Sequence, residues 1–215
     1  MIRRLGLTFC LAALLTGMAL PASAHPHVWV TAKAEIVFGP DRKVTGVRHH
    51  WTFDEAYTAY VTQGLDRDGD GKLSPEELQA LADENAGSLE EFEYFTILKA
   101  RGKLQTFDAP REARMVMDNT KVTMSFLLPL KVPVASAGPV AIEIEDPTLF
   151  VYFSLSDGQS SVSLAGAPEG CLTTIAKAKA LDATMQQILQ DEGALQARPG
   201  DFGVEYSNKA IIACP

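Results

Sequence analysis

Residues 28–53, VWVTAKAEIVFGPDRKVTGVRHHWTF, decide the fold. Val28, Val30, Ala32, Ala34, Ile36 and Phe38 fall on one side of a period-two pattern and Trp29, Thr31, Lys33 and Glu35 on the other, the pattern of a half-buried strand. Gly39-Pro40-Asp41-Arg42 has turn composition and the alternation resumes over 44–53, so the segment predicts a β-hairpin. With Phe38 set against Lys43, the apolar face meets Val47, His49, Trp51 and Phe53, while His27, Trp29, His50, Thr52 and Asp54 share the opposite face. Slipping by one residue would turn Arg48, His50 and Thr52 toward the core. The first register is therefore expected, with His49 as a buried or satisfied core histidine.

Outward from the hairpin, apolar or alternating runs predict strands over 121–128, 140–145, 149–155, 161–164 and 203–212. Helical sequence over 54–65 and 75–84 flanks an acidic loop. Ser88 and Glu91 read as the capping box of a third helix that presents Phe92, Phe95 and Leu98 on one face. Leu172, Ile175, Ala178, Leu181, Met185, Ile188 and Leu189 follow helical spacing over 172–190. The expected fold is α+β: an antiparallel sheet or β-sandwich with an inserted EF-hand helix-loop-helix at 54–86 and one late helix. Residues 25–215 are expected to form a single domain.

The N-terminus sets the compartment. Arg3 and Arg4 precede an apolar stretch over 5–20 that is short for a membrane span, and Ala22-Ser23-Ala24 supplies the small residues of a signal-peptidase site. Residues 1–24 thus read as a signal peptide, which implies a periplasmic or secreted protein, no stable membrane span after cleavage, and His25 as the first mature residue. The net charge of −8 becomes more negative once Arg3 and Arg4 leave, which disfavours nucleic acid or an anionic membrane surface as partner. Cys10 lies inside the leader. The remaining pair, Cys171 and Cys214, is expected as a disulfide in an oxidising compartment.

Asp66-Arg67-Asp68-Gly69-Asp70-Gly71-Lys72-Leu73-Ser74-Pro75-Glu76-Glu77 fits the twelve-residue calcium loop of an EF-hand. Calcium takes six to eight oxygens. Asp66, Asp68 and Asp70 offer three carboxylates, Glu77 a bidentate fourth, Lys72 its carbonyl, and Ser74 a ligand directly or through water. Gly71 allows the sharp turn. With no second loop to pair with, the hand is expected to bind weakly, as extracellular modules do, and calcium to be structural.

All four histidines lie in the first 50 residues, at His25, His27, His49 and His50. A mature N-terminal His offers an amine and an imidazole to one metal ion, and His27 adds a second imidazole. Pro26 has no amide hydrogen to lose, which blocks square-planar binding through the backbone. His25, His27 and His50 are thus candidate ligands for nickel, cobalt, zinc or copper, the alternative being ordinary polar-face residues. No nucleophile elbow, HExxH helix, phosphate loop or dinucleotide fingerprint occurs, so no catalytic residue is nominated.

HPHVWV at 25–30, HHWTFDEAYTAY at 49–60, IEDPTLFVYFSL at 144–155 and AIIACP at 210–215 occur in an order that resembles the domain of unknown function 1007 family of exported bacterial proteins. Members are often labelled as substrate-binding-like components of ABC-type transport systems and often occur near nickel or cobalt permeases. The resemblance implies a metal-handling role and matches His25 and His27 at the start and Asp146 in the DP turn. Asp146 is expected to be a turn residue before Pro147.

Three functional expectations follow. The first is a periplasmic calcium-binding accessory that captures a divalent transition metal for an inner-membrane transporter. The second is a calcium-stabilised interaction module without a transition-metal role. The third is a copper enzyme with an N-terminal histidine brace.

Overall fold

The computed structural model describes residues 28–156, 159–185 and 206–215. In chain order its elements begin with β1 (Val28–Phe38), β2 (Lys43–Phe53), α1 (Glu55–Val61) and α2 (Pro75–Ser88). A tight helical stretch at Leu89–Phe95 leads into β3 (Thr96–Ala100), β4 (Lys103–Leu104), β5 (Arg111–Asp118) and β6 (Lys121–Ala135). The remaining strands are β7 (Val140–Ile144), β8 (Val151–Leu155), β9 (Val162–Ala165), β10 (Leu172–Ala176) and β11 (Asn208–Ala213). The fold is α+β, with two mostly antiparallel sheets and few helices.

Sheet A runs β5-β6-β2-β1-β8, with β9 also paired to β1; sheet B runs β10-β11-β7-β3-β4. β1 is antiparallel to β2 on one edge, while its other edge takes β8 over Val28–Ala32 and β9 over Ala34–Val37, both parallel. The inward residues of β1 enter one hydrophobic core with Trp51, Phe126 and Leu128 of sheet A and Leu98, Ile142 and Ile212 of sheet B. Asn208, 2% exposed, ties the sheets together. Its Nδ2 donates to the Phe153 carbonyl, and its Oδ1 accepts from the amides of Leu155 and Ala178.

The hairpin faces are as expected, but Phe38 lies opposite Val44, not Lys43. A bulge at this end moves the body of the ladder, so Ile36 faces Val47, Ala34 faces His49 and Ala32 faces Trp51. Beyond the bulge the displacement from the expected pairing is two positions, so residues 47–53 keep their faces, while at the bulge itself Val44 and not Lys43 enters the core. On the other edge of β2, a Cβ on Gly46 would sit 2.7 Å from the Leu128 carbonyl oxygen, so this crossing with β6 requires glycine.

Helical expectations fare less well. α1 ends at Val61 instead of 65, and α2 continues to Ser88, so no new helix is capped there; the Ser88 hydroxyl donates back to the Asn85 carbonyl. The expected third helix is instead a tight helical stretch in which Glu93, Tyr94 and Phe95 have φ of 50, 57 and 48°. Residues 172–176 form β10, antiparallel to β11, and 183–185 are helical; residues 186–190 lie outside the described set. Thr173, Thr174 and Ile175 are β-branched, and the Cys171–Cys214 disulfide brings this run beside β11, where ladder hydrogen bonds outweigh a weak helical pattern.

His49 is fully buried between strands. Thr96 Oγ1 donates to the Tyr94 carbonyl (2.8 Å), so it accepts from His49 Nε2 at 3.2 Å, and the imidazole stacks on Phe126 with centroids 5.0 Å apart. Burial, then the charge of neighbouring His50, lowers the His49 pKa to about 3. The unfolded chain, with a value near 6.5, binds a proton that the folded protein refuses between those limits. Stability from this residue is full above pH ~6.5 and falls as pH drops toward 3, at up to about 1.4 kcal/mol per pH unit. Urea denaturation of the wild type is expected to show this loss between pH 6.5 and 5, and His49→Met to flatten it; equal slopes for both proteins would contradict the assignment.

Candidate functional site: an acidic loop between two helices

The loop at residues 66–77 hangs between α1 and α2 and is anchored by apolar residues rather than by its charges. Leu65 before it and Leu73 within it pack against the core, while Asp66, Asp68 and Asp70 are exposed. Gly69 and Gly71 have φ of 74 and 80°, a left-handed conformation that glycine adopts without a Cβ clash. The chain folds over its own carboxylates. Asp66 accepts from the amides of Gly69 (2.8 Å) and Gly71 (3.0 Å), Asp68 from Asp70 (3.1 Å), and Asp70 from Lys72 (2.7 Å).

This folding brings one carboxylate oxygen each from Asp66, Asp68 and Asp70 within 4.8 Å of one another. Calcium–oxygen distances of about 2.3–2.6 Å allow ligand oxygens to lie up to about 5 Å apart across the ion, so the three aspartates fit a hard divalent cation. It is the one such group of His, Cys, Asp or Glu side chains among the described residues. Glu77 lies outside that triad. Its Oε1 accepts from the Arg67 amide at 2.7 Å, and its Oε2 accepts from the Ser74 amide and hydroxyl, both at 2.9 Å.

Ser74 and Glu77 thereby form the capping box of α2, with Pro75 at the first turn. The Ser74 and Arg67 amides, with the Ser74 hydroxyl, lower the Glu77 pKa to about 2. Across the loop, Asp54 caps α1. Its Oδ1 accepts from the Tyr57 amide (2.9 Å) and its Oδ2 from the Trp29 amide (2.8 Å), fixing the entry helix to the start of β1.

The histidines are placed differently. His25 and His27 lie outside the described residues, as do residues 1–24. His50 lies on the polar face of β2, half-buried, with Nδ1 2.8 Å from Ser125 Oγ. Desolvation lowers its pKa; Glu35 opposes this, and Arg48 and Lys33 add to it. His50 lies opposite Lys33, five strand positions from Val28, roughly 17 Å along β1. Asp54 is engaged in capping and does not join it.

No helix among the described residues is long and apolar enough to cross a membrane. Cys171 and Cys214 form a disulfide across β10 and β11. A family model described as "Protein of unknown function (DUF1007)" matches residues 10–214. The chain belongs to the DUF1007 family. No curated protein matches the sequence. Of the DUF1007 motifs in this chain, the DP turn carries more than turn chemistry. Asp146 is 6% exposed and accepts from the Thr148 amide and hydroxyl and from the Val151 amide, so it fixes the corner from which β8 departs. Its burial is invisible to a reading that takes Asp-Pro as surface punctuation.

Ser74 holds both ends of the capping box. In chelator, Ser74→Ala is expected to destabilise the protein by about 1 kcal/mol in urea titration. A change within error would mean that the α2 terminus is stabilised by other contacts.

Proposed function

We propose that this DUF1007 protein is an exported, periplasmic calcium-binding protein whose 66–77 loop acts as an EF-hand. We further propose that it serves as an accessory that binds a divalent transition metal for an inner-membrane transporter. The observation that carries the calcium reading is the convergence of Asp66, Asp68 and Asp70 on a point of calcium's size. Lys72 through its carbonyl, Ser74 directly or through water, and Glu77 after release of its capping bonds would complete an oxygen shell. The ion would then exchange helix-capping hydrogen bonds for coordination and hold α1 and α2 at a fixed spacing. The disulfide suits an oxidising compartment.

The transition-metal role is supported by the family resemblance and by the chemistry of an N-terminal His-Pro-His. His25 supplies amine and imidazole, and His27 a second imidazole. His50 is a candidate further ligand in its neutral form, which its lowered pKa favours. A calcium-stabilised interaction module remains the competing reading.

Calorimetric titration of the cleaved, untagged protein distinguishes them. Calcium is expected to bind the wild type and to be lost in Asp66→Ala/Glu77→Ala. Nickel, cobalt, zinc or copper is expected to be lost in His27→Ala with calcium retained, and His50→Ala reports whether that residue joins the set. Calcium binding without micromolar binding of any transition metal would leave the interaction module, and calcium binding that survives the double substitution would overturn the loop assignment.

A further inference from the structure

A cavity of about 550 Å³ opens on the inner face of sheet A, away from the acidic loop. The strands contribute Trp51, Phe53 and Phe153 to its lining, and the helical segments contribute Tyr57, Phe92 and Phe95. Its volume is within the range of pockets that take small organic ligands. Phe92 and Phe95 are stacked 5.3 Å apart at 11°, and Phe92 is 53% exposed. Three consecutive left-handed residues, Glu93, Tyr94 and Phe95, hold that pair in place. Such a conformation is disfavoured for any residue with a Cβ, and strain maintained by surrounding packing concentrates at ligand sites.

Among the described residues, the charged groups that line this aromatic space are carboxylates. Asp146 lines it, is almost fully buried, and has three hydrogen-bond donors but no described cation as partner. A neighbouring hollow shares Phe92, Phe95, Asp146 and Thr148, and adds Glu91, Glu93 and Glu145. Among the described residues, neither lining contains Lys, Arg or His. Glu145 Oε2 is enclosed without a hydrogen-bond partner; burial and Glu143 raise the pKa of that carboxyl, while a Ser207 hydrogen bond and the Lys99 charge oppose them. Buried carboxylate is costly without an opposite charge, and aromatic faces present their negative quadrupole to a cation. These carboxylates would repel an anion, whereas a cation would be drawn both to them and to the ring faces.

We infer that the cavity binds an organic cation: a small molecule with an alkylated ammonium group on an apolar body. The ammonium group would lie against the aromatic faces near Asp146 and the apolar body against Trp51 and Phe153. The site is separate from the acidic loop, and its test is run in chelator so that it does not depend on the calcium reading.

The test titrates folded protein carrying Trp29→Phe, so that fluorescence reports Trp51, with benzyltrimethylammonium, uncharged 3-phenylpropan-1-ol and anionic 3-phenylpropanoate. The cation is expected to bind about tenfold more tightly than the alcohol, and the anion more weakly than either. Phe92→Ala, at an exposed position, is expected to weaken the cation about fivefold with the melting temperature unchanged. Absence of saturable binding by the cation, or binding by the alcohol or the anion that equals or exceeds it, would overturn the inference.

Discussion

The backbone of β1 is hydrogen-bonded along both edges, to β2 on one side and to β8 and β9 in succession on the other. Everything else in sheet A is positioned from that strand. Because its two faces alternate, pairing fixes which residues of β2 enter the core: Trp51 and His49 turn inward, His50 outward. The same strand holds the helices in place, since the Asp54 carboxylate that caps α1 also accepts the Trp29 amide. Anchoring of the acidic loop thus begins at a hydrogen bond to β1, and Leu65 and Leu73 complete it.

Local chemistry was legible in the sequence wherever one residue type has one mechanical use. Alternation marks the hairpin and its faces, Gly71 marks a sharp turn in the acidic loop, and the run from Pro75 reads as a helix, although Ser74 and Glu77 read as calcium ligands and not as its capping box. The cysteine pair was legible for the same reason, because an oxidising compartment leaves two thiols one stable outcome. Sequence was a poorer guide where long-range pairing overrides a local pattern. The spacing of Leu172, Ile175 and Ala178 suits a helix, yet β11 offers that segment a row of backbone partners. Nor does any local signal announce that Asp146 is buried, or that Glu93, Tyr94 and Phe95 adopt left-handed backbone; both follow from the way strands and helices enclose the cavity.

α2 connects two chemically different regions. At its N-terminus, carboxylates compete for backbone amides and meet a favourable helix dipole, with Glu76 and Glu77 in the first turn. At its far end, Asn85 and Ser88 border aromatic side chains from both sheet and helix. The first region is exposed and dominated by oxygen donors, suited to a hard cation. The second is enclosed and dominated by π faces, suited to a soft one. A chain with a net charge of −8 places both in a field that draws positive charge toward it.

Sheet B has a property that matters while the chain is being made. Its order is β10-β11-β7-β3-β4, so the strand that comes last in the sequence lies inside the sheet, between β7 and β10. Until residues 208–213 have emerged, β7 has one free edge, β10 has no neighbour, and Asn208 is not yet in place to bridge β8 to its own sheet. Sheet A can pair progressively, but sheet B must wait for its middle. Such an order leaves strand edges of sheet B unpaired until the last strand arrives, the stage of folding at which edge-to-edge association is most favoured.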